Sequence, residues 1–181
     1  MSRFDDLLAR VETYQELAAE NYNRIRKLAE DLSTGLCDFL ESTSGACVFL
    51  VPPQGPFTPK DHGDAAFSMP PRGFRQLGPI AFGLAVRVSK GTDWLRVTLQ
   101  CQKVGDKFTV HIIEGEGYTF ELPLAEADAE PFYQHIYDHV YDWFDNLIER
   151  YKEGEDYSTL EIGFDFSDDD DEDDSNQNVM V

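Results

Sequence analysis

The chain has 181 residues, 41% hydrophobic and 13% aromatic, and its 35 acidic residues against 15 basic ones give a net charge of −20. That apolar content belongs to a folded protein rather than to general disorder, and the length suits one domain. The charge argues against direct contact with phosphate backbones and anionic membranes, so neither nucleic acid nor membrane is expected as a partner, and basic proteins are favoured, most strongly at low salt.

The N-terminus, Met-Ser-Arg-Phe-Asp-Asp, lacks both the basic start and the apolar core of a signal peptide, and no apolar run approaches the ~20 residues that cross a bilayer. A cytoplasmic protein is expected. From about residue 3 to 41 there is no Pro, and Phe4, Leu7, Leu8, Val11, Leu17, Ile25, Leu28, Leu32, Leu36 and Leu40 recur mostly at steps of three and four. This period predicts one long helix, with a kink near Ser33-Thr34-Gly35 as the alternative to a straight one. About 39 helical residues span roughly 58 Å, more than a small sheet needs. The overhanging half is expected to bury its apolar face by pairing into a homodimer or by holding a partner.

Ala46-Cys47-Val48-Phe49-Leu50-Val51 reads as a buried strand ending at Pro52-Pro53. Residues 52–79 carry seven prolines and form an irregular connection, expected to tuck its apolar side chains onto the sheet. Within it Lys60, Arg72 and Arg75 interleave with Phe57, Phe67, Met69 and Phe74, a mixture that can stack on single-stranded nucleic acid, which the net charge disfavours. Strict alternation then begins: Ile80 to Val88, Leu95 to Cys101, Phe108 to Ile112 and Tyr118 to Leu122. Turns fall at Lys90-Gly91-Thr92, Gly105-Asp106 and Gly115-Glu116-Gly117. Four antiparallel strands in chain order are predicted. Cys37, Cys47 and Cys101 each lie in an apolar run, an odd count at wide spacing, so they are expected to be free apolar residues in a reducing compartment.

Pro123 closes the sheet, and Asp128-Ala129-Glu130-Pro131 is expected to open a helix running to about Lys152. Its apolar stripe, Phe132, Ile136, Val140, Trp143, Phe144, Leu147, Ile148 and Tyr151, is expected to pack on the sheet. Two further stripes run along it. His135, Asp138, His139 and Asp142 stand at offsets of 0, 3, 4 and 7, a set chemically suited to a transition metal; the plainer reading is a solvated face of His–Asp pairs. Tyr133, Tyr137 and Tyr141 stand at steps of four and offer large rings with polar tips, suited either to an interface or to covering the sheet edge. No nucleophile motif, phosphate loop or dinucleotide loop is present in the sequence, and no cofactor is expected.

Residues 153–181 hold twelve of the acidic residues and no Lys or Arg, including the run Asp168-Asp169-Asp170-Asp171-Glu172-Asp173-Asp174. Such a block repels itself and is expected to be a disordered tail, with Phe164 and Phe166 just ahead of the acids as anchors for a partner. The sequence thus predicts a single α+β domain over 1–152. It comprises a long N-terminal helix, a mostly antiparallel sheet of about five strands and a C-terminal helix on one sheet face. Its expected function is non-catalytic binding of a basic protein, as an inhibitor, immunity protein or chaperone-like escort, through Tyr133, Tyr137, Tyr141, Phe164, Phe166 and the acidic run. A metal-binding protein or metal-dependent enzyme using His135, His139 and Asp142 is the alternative.

Overall fold

In the computed structural model, which describes residues 2–42, 45–70, 72–113, 115–154 and 164–166, the first helix, α1, runs unbroken from Arg3 to Phe39. Its start is fixed by a reciprocal cap. The Asp5 amide donates to Ser2 Oγ and the Ser2 amide to Asp5 Oδ2, while Asp5 and Asp6 face the positive end of the helix dipole. The chain leaves the helix at Leu40, and Glu41 takes a left-handed conformation (φ 49°).

The alternating segments form strands β1 (Val48–Val51), β2 (Ile80–Arg87), β3 (Trp94–Val104), β4 (Lys107–Ile112) and β5 (Gly117–Phe120), all antiparallel and side by side in chain order. The register Val86↔Leu95, Leu84↔Val97, Phe82↔Leu99 and Ile80↔Cys101 continues as Cys101↔Val110 and Leu99↔Ile112, so one face of the sheet is apolar throughout. Helix α2, Glu126–Glu153, ends at Gly154 in the left-handed conformation and begins two residues before Asp128, with Pro131 inside its second turn. Ile25, Leu28, Leu32 and Leu36 of α1 and Ala129, Phe132 and Ile136 of α2 meet that apolar face in one core. The fold is α+β, with both helices on the same side of the sheet.

Gly35 sets the distance between the helices. A Cβ built there would lie 2.0 Å from Tyr133 Oη and 2.6 Å from its Cζ, so the tyrosine ring occupies the space a side chain would need. Tyr133 also packs on Phe39, with ring centroids 5.9 Å apart. The glycine that read as a candidate break is therefore the seat of the second helix.

The other sheet face carries a smaller core of Val51, Phe57, Ala85 and Trp94, with Phe49 against it. Buried Arg96 holds the start of the 52–79 connection over this face. Its Nη1 donates to the carbonyls of Pro52 (3.0 Å) and Gly55 (2.7 Å), and its guanidinium sits 4.8 Å from the Phe57 ring centroid. Gly83 makes room for the Arg96 stem, since a Cβ there would meet Arg96 Cδ at 2.9 Å. The rest of the connection is fastened along α1. Tyr22 and Arg26 both donate to Asp64, which stands in a short 3-10 turn at Gly63–Ala66. Gln15 exchanges two hydrogen bonds with the Arg75 backbone, and Tyr14 accepts from the Leu77 amide and stacks on Phe74. Phe57, Phe67 and Met69 are buried, as the tucked-loop reading requires, whereas Phe74 stays exposed.

Three expectations are corrected. Cys37 and Cys47 are joined in a disulfide, because the turn after α1 brings their Cα atoms to 5.4 Å; only Cys101 is a free, buried thiol, so the cysteines give no ground for a reducing compartment. The segment beyond Lys152 is not wholly without structure: residues Phe164–Phe166 form a strand, β6, antiparallel to Val97–Leu95 of β3. β3 has 11 residues and β4 only 6, so the first half of β3 has backbone groups on that side for β6 to satisfy. Finally, the apolar stripe of α2 does not all reach the sheet: Phe132 and Ile136 are buried, Val140, Trp143, Phe144 and Leu147 are half-buried, and Ile148 and Tyr151 are exposed. Among the described residues no helix is long and apolar enough to cross a membrane.

Two outcomes test this packing. Gly35→Ala should destabilise the protein by about 1–2 kcal/mol in urea unfolding, the overpacking cost exceeding the gain in helix propensity. Adding Tyr133→Phe, which removes the nearest atom, should return part of the loss. Burial pushes the Tyr133 phenol up to about 12 and, with the hydrogen bond to and charge of Asp64, the Tyr22 phenol likewise up to about 12. The unfolded chain ionises near pH 10, before the folded one, so the contribution of these groups is complete below about pH 10 and lost between about 10 and 12. Urea midpoints across that window should fall, and the fall should shrink in Tyr133→Phe.

Candidate interaction surface

The second half of α2 runs past the sheet and leaves a trough beside it. One wall is Tyr137, Tyr141, Phe144 and Ile148, residues at steps of four, three and four that lie on one flank of the helix. The floor and far wall are Leu36 and Leu40 at the end of α1, Cys47 of the disulfide, and Val86 and Val88 at the end of β2, with Ile136 and Val140 at the base. The trough encloses about 470 Å³, within the range of sites that take apolar ligand groups. Tyr141 is 57% exposed, Ile148 51% and Tyr137 43%. The Tyr137 and Tyr141 rings stack at 5.9 Å, which presents them as one plate. Each wall residue is followed by Asp138, Asp142, Asp145 or Glu149, all exposed, so a row of carboxylates runs along the outer rim.

A second apolar surface lies at the other end of the molecule. Phe4, Leu7, Leu8 and Val11 project on the first turns of α1, Phe4 being 64% and Leu7 59% exposed, and Leu17, Phe74 and Leu77 extend the patch toward the 52–79 connection. The overhang expected from the length of α1 is present.

The tyrosine stripe divides. Tyr133 is only 5% exposed and belongs to the core, so it is not available to a partner; Tyr137 and Tyr141 are. The split follows from the seat of Tyr133 against Gly35 and Phe39 of α1, a contact that Tyr137 and Tyr141 do not share. Phe164 and Phe166 lie opposite Val97 and Leu95 in β6, and the acidic residues Asp168, Asp169, Asp170, Asp171, Glu172, Asp173 and Asp174 lie outside the described residues. The sequence did not single out Leu40, Val86, Val88, Phe144 and Ile148 as binding residues. Each reads as core, and only the excess length of α2 over the sheet signals otherwise.

The histidine stripe does not assemble into a metal centre. The rings of His135 and His139 stack with centroids 6.4 Å apart, His135 lies against the Tyr118 ring at 5.2 Å, and Asp138 accepts from Gln134 at 2.7 Å. Among the described residues no three His, Cys, Asp or Glu side chains come together as a metal site requires, so His135, His139 and Asp142 do not form one. The free thiol is no better placed for chemistry: burial pushes Cys101 up to about 12, which keeps it protonated.

No protein-family model, characterised protein or solved structure matches this chain.

Burial, and then the neighbouring His135, hold His139 below the ordinary histidine value, while Asp142 opposes them. NMR titration should therefore find its imidazole protonating below pH 6.5. His135→Gln should raise that value and Asp142→Asn should lower it further. Because the shift is downward, its stabilising effect is present above the unfolded value and lost as the pH falls through the folded one.

Proposed function

We propose that this protein is a non-catalytic binding module for a basic protein partner, acting as an inhibitor, immunity protein or chaperone-like escort. The observation that carries the reading is the apolar trough along Tyr137, Tyr141, Phe144 and Ile148 in a chain of net charge −20. Contiguous exposed apolar surface is costly to leave in water and marks contact sites in soluble proteins. The acidic character supplies the rest: it steers a basic partner toward the surface and rejects acidic ones, while the rings supply the buried area that holds it. The run Asp168 to Asp174 serves in this reading as the steering arm, with Phe164 and Phe166 ahead of it as anchors. A cytoplasmic setting and pairing of two copies through α1 belong to the same proposal, the second supported by the exposed Phe4, Leu7, Leu8 and Val11.

Neutralising the run from Asp168 to Asp174, with Asn for Asp and Gln for Glu172, should slow association with a partner recovered from the native extract several-fold at low salt. The two rates should converge at high salt, where charges are screened. An association rate with unchanged value and salt dependence would remove the steering role. Stopped-flow or surface-binding kinetics across a salt series measure it.

A further inference from the structure

The trough states more than that something apolar sits there; its lining also restricts the shape and charge of the occupant. Resting on the binding reading above, we propose that it receives an amphipathic α-helix of the basic partner, apolar on the face that enters and bearing Lys or Arg along the flank that meets α2.

The backbone chemistry of the walls selects a helix. The α2 wall lies within a helix whose peptide groups are bonded internally, and at the end of α1 the Leu36 and Asp38 carbonyls accept from the Leu40 and Glu41 amides. The strand that lines the third is also complete. Val86 pairs with Val48 on one side and Leu95 on the other, the Arg87 amide donates to the Cys47 carbonyl at 2.9 Å, and the Val88 amide donates to the Asp93 carbonyl at 3.0 Å. Among the described residues the strand in the lining is β2, which has a neighbour on each side. An extended peptide pressed into it would bury N–H and C=O groups with nothing to bond, whereas a helix brings its backbone already satisfied. The dimensions agree: Tyr137 to Ile148 is eleven residues of helix rise, about 16 Å, or three turns of an occupant lying alongside.

Charge complementarity selects the basic flank. Asp138, Asp142, Asp145 and Glu149 each follow a wall residue, so apolar wall and carboxylate rim run in parallel over the same three turns. Lys152, at 2.8 Å from Glu149, offsets one end of the rim. On the far wall Arg87 is turned back onto its own loop, donating to the carbonyls of Lys90 and Gly91. A helix with apolar residues at i, i+3, i+4 and i+7 and basic residues on the flank next to α2 matches both rows at once.

The test uses the full chain and a synthetic helical peptide of about 18 residues, long enough to hold its helix. Leucines occupy i, i+3, i+4 and i+7, and lysines flank them. Its affinity is compared with a scrambled peptide of the same composition and with a version carrying glutamate for lysine. The expected result is binding of the first peptide, at least tenfold weaker binding of the other two, and at least tenfold loss for Ile148→Glu and for Tyr141→Ser. Both positions are exposed, so the variants should keep the thermal midpoint of the parent. Equal binding of the scrambled or acidic peptide, no binding of any peptide, or unchanged affinity in both variants would overturn the inference. So would a homodimer in sedimentation that Ile148→Glu dissociates, since the occupant would then be a second copy. The wider reading is separated by Leu7→Asp: a partner from the extract that survives Ile148→Glu but is lost with Leu7→Asp leaves the binding function standing and moves it to α1. Loss of partner binding in neither variant, with no peptide bound, overturns both.

Discussion

The sheet is smaller than the helices it carries, and the surface chemistry of the protein follows from that mismatch. α1 has 37 residues and α2 has 28, roughly 55 and 42 Å, whereas the 11 residues of β3, the longest strand described, extend about 36 Å and five strands side by side about 24 Å. Neither helix can bury its whole apolar stripe on such a sheet. α1 overruns at its N-terminus and α2 at its C-terminus. The overruns leave Phe4, Leu7, Leu8 and Val11 at one place and Tyr137, Tyr141, Phe144 and Ile148 at another.

What fixes the helices in this arrangement is a small set of contacts with little freedom. Gly35 accepts the Tyr133 ring, which brings α2 against the end of α1, and the Cys37–Cys47 disulfide ties that same end to β1. Asp64, Gln15 and Tyr14 bind the 52–79 connection along α1, while Arg96 draws its first residues across the opposite sheet face. The trough is thus framed by fixed elements on each side.

Much of this architecture was legible in the sequence because periodicity reports burial directly. The alternation from Ile80 to Leu122 gave the four-strand meander, and the steps of three and four from Phe4 to Leu40 gave a continuous helix. What sequence could not resolve were the consequences of three-dimensional extent. Tyr133, Tyr137 and Tyr141 are equivalent by spacing, yet the first is core and the others are surface, because only the first seats against Gly35 and Phe39 of α1. Phe144 and Ile148 likewise read as core by spacing. The disulfide escaped because cysteines ten residues apart can meet only if the turn between them folds back, and pairing of β6 with β3 escaped because a three-residue strand has no period to detect. The offsets of His135, Asp138, His139 and Asp142 promised a shared face, and a shared face alone does not aim donors at a point.

The central claim is that the overrun of α2 is a binding face. A photo-activated cross-linking side chain placed at Tyr141 in the native cell tests it most directly, with a second at exposed Thr119 on β5 as the control position. The account predicts a discrete adduct to one basic protein from position 141 and none from 119. No adduct from 141, or the same diffuse set of adducts from both positions, would contradict it.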